Sequence, residues 1–392
     1  LDVYSAAQRA AAAAGDARPA WYVYSPRELS RWMRAIHAAL TDGEAAGDLS
    51  ALVRLWAHEG ARLFHDRLVT ESERQAQLKT LEAAAARHFV GVPRLSLAQP
   101  LLFSAWLGGG YTPCDAARLR SFLAPKLQAF SDEEVGSPLV LFDDMAEHAL
   151  RIARVLKQPM GHVLLVGTSG AGKTTLARFV AWLEGLSVFE VKASRSYSAA
   201  RFADDLRNLL RRAGVRKERV AFVFDEANAV EPAFLEQMNA LLASGEVPAL
   251  FEGDEMAALM QQCREAAQAA GDGARTEAQL WSTFVANVQR HLHVIFTMNP
   301  SGVDWKNRSA TSPALFNRCV VDVVGDWSAA ALQQVADQLT RPMALGMPLD
   351  ADGAEGTPRP YAGPRSPTFA HGGDDAAAEA ARLALVRALV EA

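Results

Sequence analysis

Between residues 25 and 68 the apolar positions fall at helical spacing. Leu29, Trp32, Met33, Ile36 and Leu40 recur at steps of three and four after Tyr24-Ser25-Pro26, with Ser25 placed as an N-cap and Pro26 at the first helical position. A second stripe runs through Leu52, Leu55, Trp56, Leu63, Phe64 and Leu68. These predict two amphipathic helices that make half of a small bundle and must pack on something else. The first ninety residues as a whole read as helical, and the run Ala10 to Ala14 suits a high-propensity helix. From about Gly161 the texture changes to short apolar runs alternating with helical stretches: Val163 to Val166, Leu186 to Val191, Val220 to Phe224, His293 to Thr297 and Cys319 to Val324. Near-continuous Val, Ile, Leu and Phe predict strands buried on both faces, and hence an open parallel α/β sheet of five strands. In residues 341–373, 12 of 33 positions are Pro or Gly, so this stretch reads as a loop; Asp374-Asp375 and an Ala-rich helix carrying Leu383, Val386, Leu389 and Val390 follow. No repeat of fixed period is present.

Composition narrows the class. At 392 residues with half of them apolar, the chain can bury a sizeable core and has room for two or three domains. Forty Lys and Arg against 45 Asp and Glu give −5, which argues against a protein built to coat nucleic acid or an anionic membrane. Cys114, Cys263 and Cys319 lie far apart, with neither a disulfide framework nor paired metal-ligand spacing, and point to a reducing compartment. No window approaches the roughly 18 apolar residues of a spanning helix, so a soluble chain is expected. The start, Leu1-Asp2-Val3-Tyr4, is not a signal peptide and has no Met, which suggests a piece of something longer. His58-Glu59 invites a metalloprotease reading, but the position four after His58 is Arg62, which cannot ligate a metal.

The chemistry is concentrated after residue 160. Gly167-Thr168-Ser169-Gly170-Ala171-Gly172-Lys173-Thr174, followed by Thr175, fits the phosphate-loop pattern at every fixed position and lies between a buried strand and a helix. Its glycines let backbone N–H groups face inward, Lys173 reaches the β- and γ-phosphates of ATP, and the Thr174 hydroxyl ligates Mg²⁺. Some fifty residues on, Val220 to Phe224 deliver Asp225 and Glu226 at a strand end beside the nucleotide. Asp225 suits the metal and Glu226 the deprotonation of an attacking water. Asn299, closing the strand His293 to Met298, could reach the γ-phosphate or that water. Arg318 ends a helix, Ser312 to Asn317, immediately before the last strand; its charge is either solvated or inserted into a neighbour's site as an arginine finger. Upstream, Val140, Leu141 and Phe142 are either ordinary core or a cover for the adenine face.

Phosphate loop, Asp-Glu strand, Asn strand and terminal arginine, in that order, resemble the AAA+ ATPases. Gly161-His162, Ala181-Trp182, Phe224 to Asn228, Leu241 to Pro248, Leu250 to Glu255, Phe296 to Pro300 and Phe316 to Cys319 resemble the dynein heavy chain family more closely. The likeness is to the fourth AAA+ module, and Arg178-Phe179-Val180-Ala181-Trp182 is similar to the cytoplasmic rather than the axonemal type. Tyr22 to Trp32 and Leu55 to Leu68 are similar to the lid of the third module. The resemblance covers residues 1–326; the Pro/Gly-rich stretch departs from it.

The resemblance implies an AAA+ P-loop NTPase fold, a parallel sheet sandwiched by helices with all-helical lids. Its divisions would be a preceding lid over 1–88, a connecting segment over 89–130, the large α/β part over 131–326 and a second lid over 327–392. It implies an ATP- and Mg²⁺-dependent ATPase within a minus-end-directed microtubule motor, regulatory in the ring, in the cytoplasm and on the cytoskeleton. Implied partners are the neighbouring AAA+ modules, microtubules through a stalk, and intermediate, light intermediate and light chains through a tail, with no nucleic acid or membrane. Arg318 would then act in trans on the preceding module's nucleotide, with Arg27 or Arg31 as lid sensor for the same site, and the stretch Val247 to Glu255 would relay nucleotide state to neighbouring parts. Two rivals stand beside this: a module that holds nucleotide without hydrolysing it, and a nucleic-acid motor such as a clamp loader or helicase, which the net charge disfavours.

Overall fold

A computed structural model describes residues 1–15, 18–42, 48–92, 97–133, 140, 142–191, 197–225, 228, 232–271, 275–300 and 313–340. The chain divides into two compact units, Leu1–Asp326 and Trp327–Ala392.

The first unit opens with four helices rather than the two that the stripes predict: α1 (Asp2–Ala13), α2 (Pro26–Asp42), α3 (Leu49–Phe64) and α4 (Glu71–His88). Ser25 caps α2 as expected. Arg27 N–H donates to its Oγ at 3.3 Å, and Glu28 closes the turn by accepting Ser25 N–H at 2.7 Å. Asp48 caps α3, and Thr70 with Glu73 forms a full capping box on α4. Trp32, Ile36, Leu55, Leu63, Phe64 and Leu81 form the bundle core. Gly60 is required there, because a Cβ on it would stand 2.6 Å from Trp32 Cζ2. Met33, predicted on the apolar stripe, is exposed instead.

A short antiparallel ribbon, β1 (Phe103–Ser104) with β2 (Thr112–Pro113), and α5 (Ala116–Glu133) lead to the α/β layer. Both ring nitrogens of His58 are taken up here, Nδ1 with Leu101 O at 2.7 Å and Nε2 with Tyr111 Oη at 2.8 Å. The α/β layer runs α6 (Asp143–Leu156), β3 (His162–Val166), α7 (Lys173–Leu183), β4 (Ser187–Glu190), α8 (Ala199–Gly214), β5 (Val220–Asp225), α9 (Pro232–Ser244), α10 (Gly253–Ala269), α11 (Glu277–His291), β6 (Leu292–Met298), α12 (Pro313–Arg318) and β7 (Cys319–Val323). All five predicted strands form, and all pair in parallel in the order β4-β5-β6-β3-β7. The chain leaves β3, runs to the far edge at β4, returns to β6 beside β3, and crosses to β7 on the other side. That reversal opens a crevice at the carboxyl end of β3, the place where such sheets take ligands.

Buried ion pairs join the front helices to this layer. Arg154 of α6 meets Glu59 at 2.8 Å and donates to Ala35 O at 2.6 Å. Arg151 reaches Asp322 of β7 at 3.0 Å and Asp66 at 3.3 Å, while Arg62 meets Asp66 at 2.9 Å. Val323 N–H donates to Asp66 O at 3.0 Å, so the backbone beyond α3 also covers the β7 edge.

At the amino end of the sheet, His162 and His293 are both buried. Val294 N–H donates to His162 Nδ1 at 3.0 Å, which requires a neutral ring; His293 Nδ1 lies 3.0 Å from Gly161 O and donates to it. Burial, with repulsion from His293, Arg31 and Arg318, lowers the His162 pKa to about 3, and burial lowers that of His293 to about 4. Unfolded histidine titrates near 6.5, so below that pH the unfolded chain binds the extra protons. Stability is then lost as pH falls toward the folded values, at up to about 1.4 kcal/mol per pH unit for each ring. Urea unfolding at pH 7.5 and 5.5 should show this loss, and His162→Asn, which keeps an acceptor and removes the titration, should reduce it. An unchanged pH dependence in that variant would show that His162 is not its source.

In the second unit, α13 (Ala329–Thr340) is the one described element. Ser328 caps it, its Oγ accepting from Ala331 N–H at 3.2 Å. The Pro/Gly-rich stretch and the Ala-rich helix expected after it lie outside the described residues.

Candidate functional site

The loop between β3 and α7 occupies the crevice. Gly170 and Gly172 have φ of +85° and +82°, a left-handed backbone that favours glycine and turns successive amides inward. Gly167 has no room for a side chain, since a Cβ would meet Val324 O at 2.6 Å. No side chain caps α7 at Gly172, which leaves its first-turn amides to a ligand. Thr168, Ser169 and Gly170 are exposed, Ala171 is buried, and Thr174 and Thr175 are half-buried. Lys173 is 8% exposed and lies back across the loop, Nζ donating to Gly167 O at 2.8 Å and Thr168 O at 2.7 Å.

Asp225 closes β5, two strands away from β3 across β6. Thr297 of β6 stands opposite it in register, and Thr297 Oγ1 donates to Asp225 Oδ2 at 2.7 Å. Sequence reasoning took Thr297 as strand alone; a hydroxyl at the end of an otherwise apolar run was the available signal. Asn299 follows β6 and is half-buried. Glu226 and Leu141 lie outside the described residues. Val140 and Phe142 are buried just ahead of α6, and Met145 Cε would lie 3.3 Å from a Cβ on Gly172, so the start of α6 packs beneath the loop. The structure thus gathers the loop, Lys173, Thr174, Asp225 and Asn299 at the carboxyl ends of β3, β5 and β6. A hydroxyl and a carboxylate are hard oxygen donors, which suits Mg²⁺.

Two further contacts hold the loop's surroundings. Arg178 of α7 makes a bidentate pair with Glu190 at the end of β4, with Nε to Oε1 at 2.5 Å. Thr168 Oγ1 lies 3.5 Å from Asp326 Oδ1.

Arg318 sits apart from this site, at the end of α12, and is half-buried. Burial and then repulsion from Arg27 hold its guanidinium below the ordinary arginine range. Arg31, the alternative to Arg27 as a lid sensor, donates to backbone carbonyls at the end of α12. The stretch Val247 to Glu255 packs on α8. Leu250 O accepts from Arg207 Nε at 2.7 Å, Arg211 lies over the Phe251 ring and pairs with Glu255, and α10 begins at Gly253.

A phosphate loop on β3, the strand next to the β7 edge in the parallel order β4-β5-β6-β3-β7, with an acidic strand end and a polar strand end beside it, defines the AAA+ class of P-loop modules. A family profile described as "P-loop containing dynein motor region D4" matches residues 138–348, more than half of the chain, and one described as "Dynein heavy chain, ATPase lid domain" matches residues 2–74. The chain belongs to the dynein heavy chain family, in its D4 motor region. It is 50% identical over 329 residues to a cytoplasmic dynein heavy chain of Dictyostelium discoideum, 84% of this chain and 7% of that protein. To the cytoplasmic dynein heavy chain of Caenorhabditis elegans it is 53% identical over 328 residues, 83% of this chain and 7% of the relative. The chain therefore spans about 7% of the length of these relatives.

Proposed function

We propose that residues 131–326 form an ATP-binding and ATP-hydrolysing module of a cytoplasmic dynein heavy chain, with residues 1–88 as the lid of the preceding module, 89–130 connecting them and 327–392 as the module's own lid. The observation that carries this reading is the convergence of Lys173, Thr174, Asp225 and Asn299 on one crevice beside an uncapped helix start. The loop amides, Gly167 to Thr175, would cradle the phosphates, with Lys173 exchanging its two carbonyls for β- and γ-oxygens. Mg²⁺, when bound, supplies charge neutralisation at those oxygens; Thr174 and the Thr297-oriented Asp225 would hold it. Glu226 takes the proton of the attacking water and Asn299 orients that water against the γ-phosphate, giving ADP and phosphate. Val140 and Leu141 would cover the adenine.

Arg318, which ends α12 away from this crevice, serves the preceding module's nucleotide in trans, and Arg27, in the stretch assigned to that module's own lid, serves the same nucleotide. By likeness to the family, the whole motor is minus-end-directed, acts on microtubules through its stalk, gathers its intermediate and light chains through its tail, and uses this module for regulation in the cytoplasm, with Val247 to Glu255 relaying its nucleotide state.

Pre-steady-state phosphate release separates hydrolysis from holding. In an intact ring with its other sites silenced, this module should release about one phosphate per ring on mixing with ATP. Nucleotide retained with no phosphate released would leave a structural binding module instead.

A further inference from the structure

Helix α12 has six residues and is too short to hold its own geometry. Its apolar side, Ala314, Leu315 and Phe316, is buried, and Ala314 N–H donates to Asn239 Oδ1 of α9 at 2.8 Å. Its other end runs straight into β7 at Cys319, so the last helical carbonyls have neither a further turn nor a loop to satisfy them. Arg31 of α2 supplies the donors. Its guanidinium bonds Arg318 O, Asn317 O at 3.2 Å and Cys319 O at 3.5 Å.

Arg31 is itself held. Its side chain is 16% exposed and lies 3.8 Å from Glu28, a carboxylate 1% exposed that also accepts from Ser25 N–H and Oγ–H. Arg27 stands one turn earlier on α2, exposed, and near enough to Arg318 for the two charges to repel. The two arginines of α2 therefore divide the work. Arg27 remains exposed, whereas the planar fork of Arg31 is committed to backbone oxygens.

We propose that Arg31 is a positioning residue for the arginine finger: it caps α12 and fixes the backbone origin of Arg318 against α2, so that Arg318 and Arg27 face the preceding module's phosphates as one rigid pair. Two like charges drift apart unless their backbones are tied, and a shift of about 1 Å in such a group costs about 100-fold in rate. The inference rests on the reading of Arg318 as a finger.

The test uses the full heavy chain, with Lys173 and the other modules' phosphate-loop lysines replaced except that of the preceding module, so that single-turnover hydrolysis reports that module alone. Arg318→Ala should lower the rate at least about 1000-fold. Arg31→Met should lower it about 10- to 100-fold while the KM for ATP stays within about twofold. The double variant should be no slower than Arg318→Ala, because both changes remove one interaction. Trapping of ADP with aluminium fluoride should weaken in Arg31→Met while ADP affinity does not, a split that a merely structural defect would not produce. Arg31→Lys keeps the charge beside Glu28 and hence the fold, and should still lose about 10-fold, since one ammonium cannot span three carbonyls. Wild-type rates in both Arg31 variants beside a crippled Arg318→Ala would overturn the positioning role. An Arg318→Ala ring that hydrolyses normally would instead overturn the finger reading beneath it.

Discussion

Asp66→Ala should destabilise the unit Leu1–Asp326 by about 3–5 kcal/mol, enough to unfold a marginal domain at 37 °C. Asp66 is 2% exposed and takes Arg62 at 2.9 Å, Arg151 at 3.3 Å and His65 Nδ1 at 2.9 Å. Burial alone would raise its pKa, but Arg151 and Arg62 outweigh burial and hold the carboxyl far below the carboxylate range. Alanine would take a carboxylate partner from Arg62 and Arg151, each only 14% exposed, and the cost is the desolvation left uncompensated rather than the lost attraction. Asp322 is similarly depressed, by His148 and Arg151 against burial, and Arg151 would keep only that partner and Glu147. The sign follows from the depressed values: both carboxylates contribute stability above the unfolded pKa near 3.9, and it is lost as pH falls through the folded values. Asp66→Asn, which keeps the shape and loses the charge, should cost less than alanine. Denaturant midpoints of the three proteins at pH 7.5 would decide; a loss below about 1 kcal/mol in Asp66→Ala would show that the seam is hydrated.

The same residues mark the limit of reading this fold from sequence. Strands β3, β5, β6 and β7 were legible because burial on both faces demands unbroken apolar runs, and the phosphate loop because its φ-positive glycines and its lysine have fixed spacing. Their order in the sheet was not legible, since long parallel crossovers leave no mark of which strand lies beside which. Helix α5 hid behind Pro125, although Leu119, Leu123, Leu127 and Phe130 keep a helical step. Nothing local in the sequence marks Asp66 and Asp322 as buried, because their burial arises only when the front helices meet α6 and β7. Thr297 and Arg31 escaped for a related reason. Each acts through a partner 72 and nearly 290 residues away, a separation that no local pattern encodes.

Glu226→Gln should slow hydrolysis at this site by about 100- to 10,000-fold while ATP affinity changes little. Asp225 and Glu226 are adjacent, but their expected tasks differ. Thr297 orients the Asp225 carboxylate, which suits a fixed ligand of Mg²⁺. Glu226 follows Asp225 immediately in the chain, and its proposed task is to take the proton that a water attacking the γ-phosphate must shed. Glutamine keeps the size and can still accept a hydrogen bond from that water, yet it cannot take the proton, so binding and chemistry separate in this one variant. Lys173→Ala is the opposite case. Its ammonium already sits over the loop oxygens, and its loss should weaken nucleotide binding itself, by about 100-fold or more, with little change in folding. Fluorescent-nucleotide titration and single-turnover phosphate release on an intact ring, other sites silenced, distinguish the two. If Glu226→Gln bound ATP and released phosphate at the unaltered rate, the proton would have another acceptor; if the unaltered ring released none either, the module would be a holder of nucleotide and Glu226 a bystander.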